Sequence, residues 1–431
     1  TEGTRRASVD TLTDYLRFMG FSRIEFHPYQ FGRSAEFDSD IFPRQGDADV
    51  LEDTLPITKA KGIEVVPRID STCFYLSDDA GKTLYADREA YQLTRRGETM
   101  RFFGLVPDPL HPQVQQLLQD MLCELARKTK GWPNVPAVGF RANGKFGSLY
   151  VGVDREHPPE ESGYSEFDIR EFEKDRGEPV GGTAGDAQSR YDWLKANAWD
   201  EWIEWRCQRI HDHWLRLAAA VRAVDPAKQL IVFTKIPAND PGEKRDWESG
   251  PVDLLTLHKY HGYDPALYTA DRGLTLSRVM GVNADRYWLQ RWNKEFFFQP
   301  PIDGFFRTAS PSGVELYYIY WELPDHPLGF RVGPASPRGR AFYEPMTHAL
   351  RYQNPGSFCF YNWFRATMGH ETDLREFCRA YRGLPMVDPQ PFPGRVEPAA
   401  AAADERLCVR MFRDRISIVN DGPEAREITL V

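Results

Sequence analysis

Glu322 ends the run Leu316-Tyr-Tyr-Ile-Tyr-Trp-Glu322, in which an apolar and aromatic stretch stops on a carboxylate, with Pro324 close behind. The run predicts a buried strand whose last residue is an acid next to Trp321. A carboxylate fixed at the C-terminal mouth of a parallel strand is placed to attack an anomeric carbon, or to activate water for that attack. The ends of other apolar runs carry residues of matching use: His27, Arg68 with Asp70, Asn143, Lys235, His258 with Tyr260, and Trp363. Amide, imidazole and guanidinium groups hydrogen-bond sugar hydroxyls, and indole faces stack on the apolar side of a sugar ring.

Those side chains meet only if separate strands deliver them to one rim. The sequence predicts strands over 23–29, 63–70, 101–106, 137–142, 230–235, 253–260, 315–322 and 357–363. Helices are predicted over 9–19, 50–61, 112–128, 166–176 and 199–224. Gly62 gives the second of these a stop, and Asp225-Pro226 ends the last. Residues Trp199, Trp202, Ile203, Arg206, Ile210, Leu217 and Val221 share one face of that last helix. Alternating strands and helices imply a parallel sheet wrapped by helices, and eight strands imply an α/β fold of the (β/α)8 TIM-barrel type. A Gly-, Pro- and acid-rich insertion occupies 143–189. The expected plan is a TIM-barrel domain over 1–384, then a Pro- and Ala-rich linker over 385–403. A small all-β module begins over 404–431, with Asn420-Asp-Gly422 as a hairpin signal.

Composition narrows the field. The 431 residues carry a formal net charge of -9. Nucleic-acid and anionic-membrane partners call for basic stripes, so neither is expected. Aromatic residues make up 13% of the chain, with 11 Trp and 19 Tyr, more than a core alone needs. A carbohydrate partner uses that surplus. The six Cys are scattered without a C-x-x-C pair, so they read as thiols in packing positions, and no metal or other cofactor is expected. His258 and His261 have no third ligand in view, and His211 and His213 face apart on a helix. No apolar run reaches 18 residues. The chain opens at Thr1 without an initiator Met and stops at Val431 within a strand pattern, the expectation for a segment of a longer polypeptide. Oligomeric state is not legible.

In order along the chain, these motifs resemble the clan A glycoside hydrolases. Those enzymes place a nucleophilic Glu after strand seven, His-x-Tyr after strand six and a sugar-stacking Trp after strand eight, matched by Glu322, His258-Lys-Tyr260 and Trp363. Gly163-Tyr-Ser-Glu-Phe-Asp-Ile-Arg-Glu-Phe172 and Trp199-Asp-Glu-Trp-Ile-Glu-Trp-Arg206 resemble the branch containing β-galactosidases, with its Trp-containing helix after strand four. The stretch 29–43 is similar to the substrate-side loop after their first strand. The resemblance spans about residues 9–384. It implies an O-glycosyl hydrolase acting on an oligo- or polysaccharide, with Glu322 as nucleophile or base. Sugar-binding positions would fall at His27, Arg68, Asn143, His258, Tyr260, Trp321 and Trp363. It also implies an extracellular or periplasmic address.

One departure is chemical. The family has Asn-Glu after strand four, whereas this chain has Asn143-Gly144. The carboxyl that protonates the leaving oxygen is absent from its usual place. Asp70, Asp154 and Glu156 are the available substitutes. A retaining reaction needs carboxyls about 5–5.5 Å apart, and an inverting one tolerates about 6.5–9.5 Å. The alternative is a carbohydrate-binding barrel that kept its cleft and lost its acid. The acids also have plainer readings, Asp70 pairing with Arg68, Asp154 and Glu156 as solvated loop charges and Glu322 as a structural acid, while Lys235 admits a rival chemistry, a Schiff-base lysine of the aldolase type.

Overall fold

The segment Glu64-Val-Val-Pro-Arg-Ile-Asp70 is buried from its second residue onward, the near-continuous burial of a strand covered on both faces. In the computed structural model of the chain it is the second strand of a sheet. The structure describes residues 2–30, 34–70, 85, 87–100, 105–142, 162–234, 256, 259–268, 273–282, 313–318, 357–361, 371–385, 390–404, 407–420 and 425–431. Two units are distinguished: Thr1–Arg17 with Ser22–Ser277, and Phe18–Phe21 with Arg278–Val431.

In the first unit, β1 (Arg23–Phe26), β2 (Glu64–Asp70), β3 (Ala137–Ala142) and β4 (Gln229–Thr234) lie side by side in chain order and all pair parallel. The next strand in the order, β5 (Leu274–Val282), begins in this unit. Parallel neighbours need crossovers, and helices supply them. After α1 (Glu2–Phe18), helix α2 (Val50–Ala60) joins β1 to β2, and α3 (Pro112–Lys128) joins β2 to β3. Asp49 caps α2 by accepting from the Leu51 and Glu52 amides. Gly62, at φ +67, then turns the chain into β2 as the sequence predicts. Helix α3 starts on Pro112 and buries Leu118, Leu122 and Leu125 along one stripe.

Among the described residues, three helices lie between β3 and β4: α4 (Glu166–Arg176), α5 (Ala187–Asn197) and α6 (Trp199–Val224). The buried stripe of α6 includes Trp202, Ile203, Arg206, Ile210, Leu217 and Val221, as its spacing predicts. Trp202 stacks on Tyr164 and Trp205 and takes the edge of Phe172, so one side chain ties α4 and the chain before it to α6. Helix α5 is not legible in the sequence because its buried set, Ala187, Arg190, Tyr191 and Leu194, is short and includes a charge.

Two expected strands are corrected. Arg68, Ile69 and Asp70 pair directly with Gly139, Phe140 and Arg141, which leaves no place between them for a strand over 101–106. The described end of that segment pairs locally instead. The Val106 amide donates to the Met100 carbonyl, and Pro107 bridges to Tyr91. Gly104 and Pro107 leave too short a run between them for a ladder. Within 253–260, the described residues Thr256, Lys259 and Tyr260 are helical, and Gly262 at φ +86 closes that turn. The strand beside β4 is β5, further along the chain.

The second unit contains β6 (Gly313–Tyr318) paired parallel with β7 (Ser357–Tyr361), followed by α7 (Glu371–Gly383). Helix α7 buries Leu374, Phe377 and Cys378. Arg382 donates to the Gly20 carbonyl, and Arg375 lies over the Phe18 ring. Near the C-terminus, β8 (Leu407–Phe412) and β9 (Arg415–Asn420) form an antiparallel hairpin around Arg413, whose φ is +54. Gln390–Pro391 adds to β8, and Val396–Glu397 pairs with Thr429–Leu430. The hairpin turn therefore falls at 413–414. The Asn420-Asp-Gly422 signal leads toward a strand that pairs with residues 396–397 instead of with β9.

Candidate active site

Register decides which side chains share a face. Glu25 is opposite Val66, Arg68 opposite Gly139, Asp70 opposite Arg141, and Arg141 opposite Phe233. Side chains alternate across a strand, so Glu25, His27, Arg68, Asp70, Arg141 and Phe233 fall on one side of the sheet. Phe140 falls on the other, where it meets Trp214 of α6. The charged face is therefore the one turned away from that helix, at the C-terminal ends of β1, β2 and β3.

The charges on this face are paired. Arg68 donates through Nη1 to Glu25 Oε2 at 2.7 Å and through Nε to His27 Nε2 at 3.3 Å. Its guanidinium carbon lies 4.7 Å from the Phe233 ring centroid. His27 Nε2 lies 3.9 Å from Asp70 Oδ2, and Arg141 Nη1 donates to the same oxygen at 3.5 Å. The Arg68 side chain is 2% exposed and that of Glu25 8%, so this pair is dry. The His27 side chain remains 22% exposed. Gly139 makes the arrangement possible. A Cβ there would stand 2.9 Å from Phe233 and 3.0 Å from the Arg68 Cβ.

Three of the expected site residues, His27, Arg68 and Asp70, are thus brought together. Tyr260 is held by α6: its ring meets Trp199 edge-on, and its carbonyl accepts from Arg206. Glu322, Trp321, Asp154, Glu156, Asn143, His258 and Trp363, with Lys235, lie outside the described residues. Glu25 and Arg141 are additions. Their signal was parity: Glu25 stands two residues before His27, and Arg141, the one charge in its strand, two after Gly139.

The chain between Tyr29 and Pro43 is anchored from α3. Glu124, fully buried, accepts from the Tyr29 hydroxyl, from Ser39 Oγ at 2.8 Å and from the Asp40 amide. Burial pushes the Cys207 thiol up to about 12 and the Cys378 thiol up to about 11, so neither supplies a thiolate near neutral pH. Among the described residues, no group of three or more His, Cys, Asp or Glu side chains is placed to hold a metal ion. Also among them, no helix is long and apolar enough to cross a membrane.

No family model matches the chain, and no curated protein matches it. Solved structures do. A β-galactosidase from the Antarctic haloarchaeon Halorubrum lacusprofundi aligns over 88% of this chain and 57% of its own, with a TM-score of 0.50 and 10% identity. A β-galactosidase from Marinomonas ef1 aligns over 87% and 57%, with a TM-score of 0.49 and 10% identity. An endo-β-1,4-mannanase from Thermotoga petrophila aligns over 89% and 75%, with a TM-score of 0.47 and 10% identity. The chain is similar in fold to clan A glycoside hydrolases. It spans little more than half the length of the β-galactosidases it matches.

Proposed function

We propose that this chain is a glycosidase that cleaves a glycosidic bond in an oligo- or polysaccharide, with Glu322 as nucleophile or base. The observation that carries the reading is the convergence of His27, Arg68 and Asp70 at the C-terminal ends of neighbouring parallel strands, where barrel chemistry collects. In this proposal the parallel strands belong to a complete (β/α)8 barrel over 1–384. The residues after it form a small all-β module, with strands from 404–431 taking partners from the 385–403 stretch. His27 and Arg68 hold sugar hydroxyls together with Asn143, His258 and Tyr260, while Trp321 and Trp363 stack on the ring. Asp70, Asp154 and Glu156 are the candidates for the second carboxyl.

A specific observation favours the second reading, a carbohydrate-binding barrel without turnover. Gly144 stands where the family has its acid, and Asp70 accepts from a buried Arg141, which makes it an anchored anion and a poor proton donor. A panel of chromogenic aryl glycosides, assayed with the wild-type chain and with Glu322→Gln, separates the two. Turnover by the wild type that Glu322→Gln abolishes, with an unchanged melting temperature, supports the glycosidase. Equal turnover in the variant removes Glu322 from the mechanism. Saturable sugar binding without turnover selects the binding barrel.

A further inference from the structure

His27 stands between a cation and an anion. Its Nε2 accepts from Arg68 Nε at 3.3 Å and lies 3.9 Å from Asp70 Oδ2. A guanidinium is a donor only and is not deprotonated in proteins, so the Arg68 bond must end on an imidazole lone pair. Nε2 therefore carries no proton. An imidazole with Nε2 bare is the neutral form, and its proton is on Nδ1. The lone pair that a general base would use is the one that meets Arg68, which sets His27 apart from that role.

Among the described residues, the charged groups on this face are Glu25 from β1, Arg68 and Asp70 from β2 and Arg141 from β3. From β4 comes the Phe233 ring, over which Arg68 lies. Two anions meet two cations, so these groups balance while the imidazole is neutral. A proton on Nε2 reverses both of its contacts. Arg68 Nε–H then points at an N–H of like charge, and the Asp70 carboxylate becomes a charge-assisted acceptor. Such bonds close to about 2.7–2.9 Å, so His27 has to move by only about 1 Å from its 3.9 Å separation.

We propose that His27 is a proton switch on this face, held neutral by Arg68 and received by Asp70 when it is charged. In the switching step Nε2 takes a proton from solvent. The Arg68 Nε–H···Nε2 hydrogen bond breaks, and an Nε2–H···Oδ2 bond to Asp70 forms. The face gains one positive charge, while Arg68 keeps its bond to Glu25 through Nη1. The bearing of the switch on sugar binding rests on the glycosidase reading. The switch itself is read in the protein without ligand, so its failure leaves that reading standing, and the glycoside panel tests the reading alone.

The test is long-range proton–nitrogen correlation spectroscopy of the full chain, labelled with nitrogen-15 at histidine, from about pH 5 to about 8. The His27 signals are assigned as those missing from His27→Gln. The neutral form is expected to show a protonated Nδ1 and a bare Nε2, and acidification to protonate Nε2. Arg68→Met removes the group that bonds the neutral ring, so it should raise the midpoint. Asp70→Asn removes the anion that receives the charged ring, so it should lower the midpoint. Each movement is expected to be about 1 pH unit or more. A neutral form with its proton on Nε2 overturns the proposal. So does a ring that stays neutral, or stays charged, across the whole range, or a midpoint that either variant leaves unmoved. Should Arg68→Met fail to fold, the wild-type tautomer and the Asp70→Asn midpoint decide.

Discussion

Replacing Arg68 with Met tests whether the charged sheet face is built as its geometry indicates. The methionine keeps much of the packing volume against Phe233 but removes both hydrogen bonds, to Glu25 Oε2 at 2.7 Å and to His27 Nε2 at 3.3 Å. Glu25, with a side chain only 8% exposed, then loses its cation in a site with little water. Breaking a buried pair on one side costs about 3–5 kcal/mol, because the remaining charge stays desolvated. Glu25→Gln in the same background removes that charge. The double variant should therefore recover much of the loss, with a coupling of about 2 kcal/mol, within the range measured for contacting residues. Arg68→Lys separates charge from shape. A lysine keeps the charge but cannot serve Glu25 and His27 from one planar group, and it should fall between wild type and Arg68→Met. Urea unfolding followed by far-ultraviolet circular dichroism gives the free energies of wild type, Arg68→Met, Glu25→Gln and the double variant, the four corners of the cycle, and of Arg68→Lys. An Arg68→Met loss below about 1 kcal/mol, or a coupling near zero, would show that the pair is solvated and the reasoning wrong.

Three further changes probe other parts of the same unit. Gly139→Ala forces a methyl to 2.9 Å from Phe233 and 3.0 Å from the Arg68 Cβ, and overpacking of this kind should cost about 1–3 kcal/mol in the same unfolding assay. Trp202→Ala removes the side chain that Tyr164, Phe172 and Trp205 pack against, an expected loss of about 3–5 kcal/mol, with near-ultraviolet dichroism reporting the lost stack. His213 is buried and burial lowers its pKa to about 3 from 6.5, so it folds neutral while the unfolded chain protonates. Its contribution is complete above pH 6.5 and is lost on acidification at about 1.4 kcal/mol per pH unit. His213→Gln should flatten that part of the acid limb of a melting-temperature profile, and an unchanged limb would place the proton elsewhere.

The parts of the fold that were legible in the sequence are those that a single local rule decides. Helix α3 begins on Pro112, α2 stops at Gly62, and α6 buries six of the seven residues that share a face at helical spacing. Where two rules compete, the reading failed. Residues 253–260 alternate well enough for a strand, yet Thr256, Lys259 and Tyr260 are helical, and β5 holds the place beside β4. Tertiary pairing overrode the local pattern there.

The site divides along the same line. That His27, Arg68 and Asp70 lie close together was legible because they stand at or near the ends of neighbouring strands, where a parallel sheet can present chemistry. Glu25 and Arg141 were not, because a charge before the strand end has no evident use until the paired strands supply its partner. Register makes Arg141 the neighbour of Asp70 and sets Glu25 opposite Val66, on the same face as Arg68, which donates to it. Each of these acids is then already neutralised before any ligand arrives. Under the proposed function, a sheet face whose acids are balanced in this way suits neutral hydroxyls better than a charged ligand. For hydrolysis the consequence is direct. If the proposed hydrolysis holds, a carboxyl not already bound by a buried guanidinium is the better source of the proton for a leaving oxygen, so Asp154 and Glu156 are the substitutions to make after Glu322, ahead of Asp70.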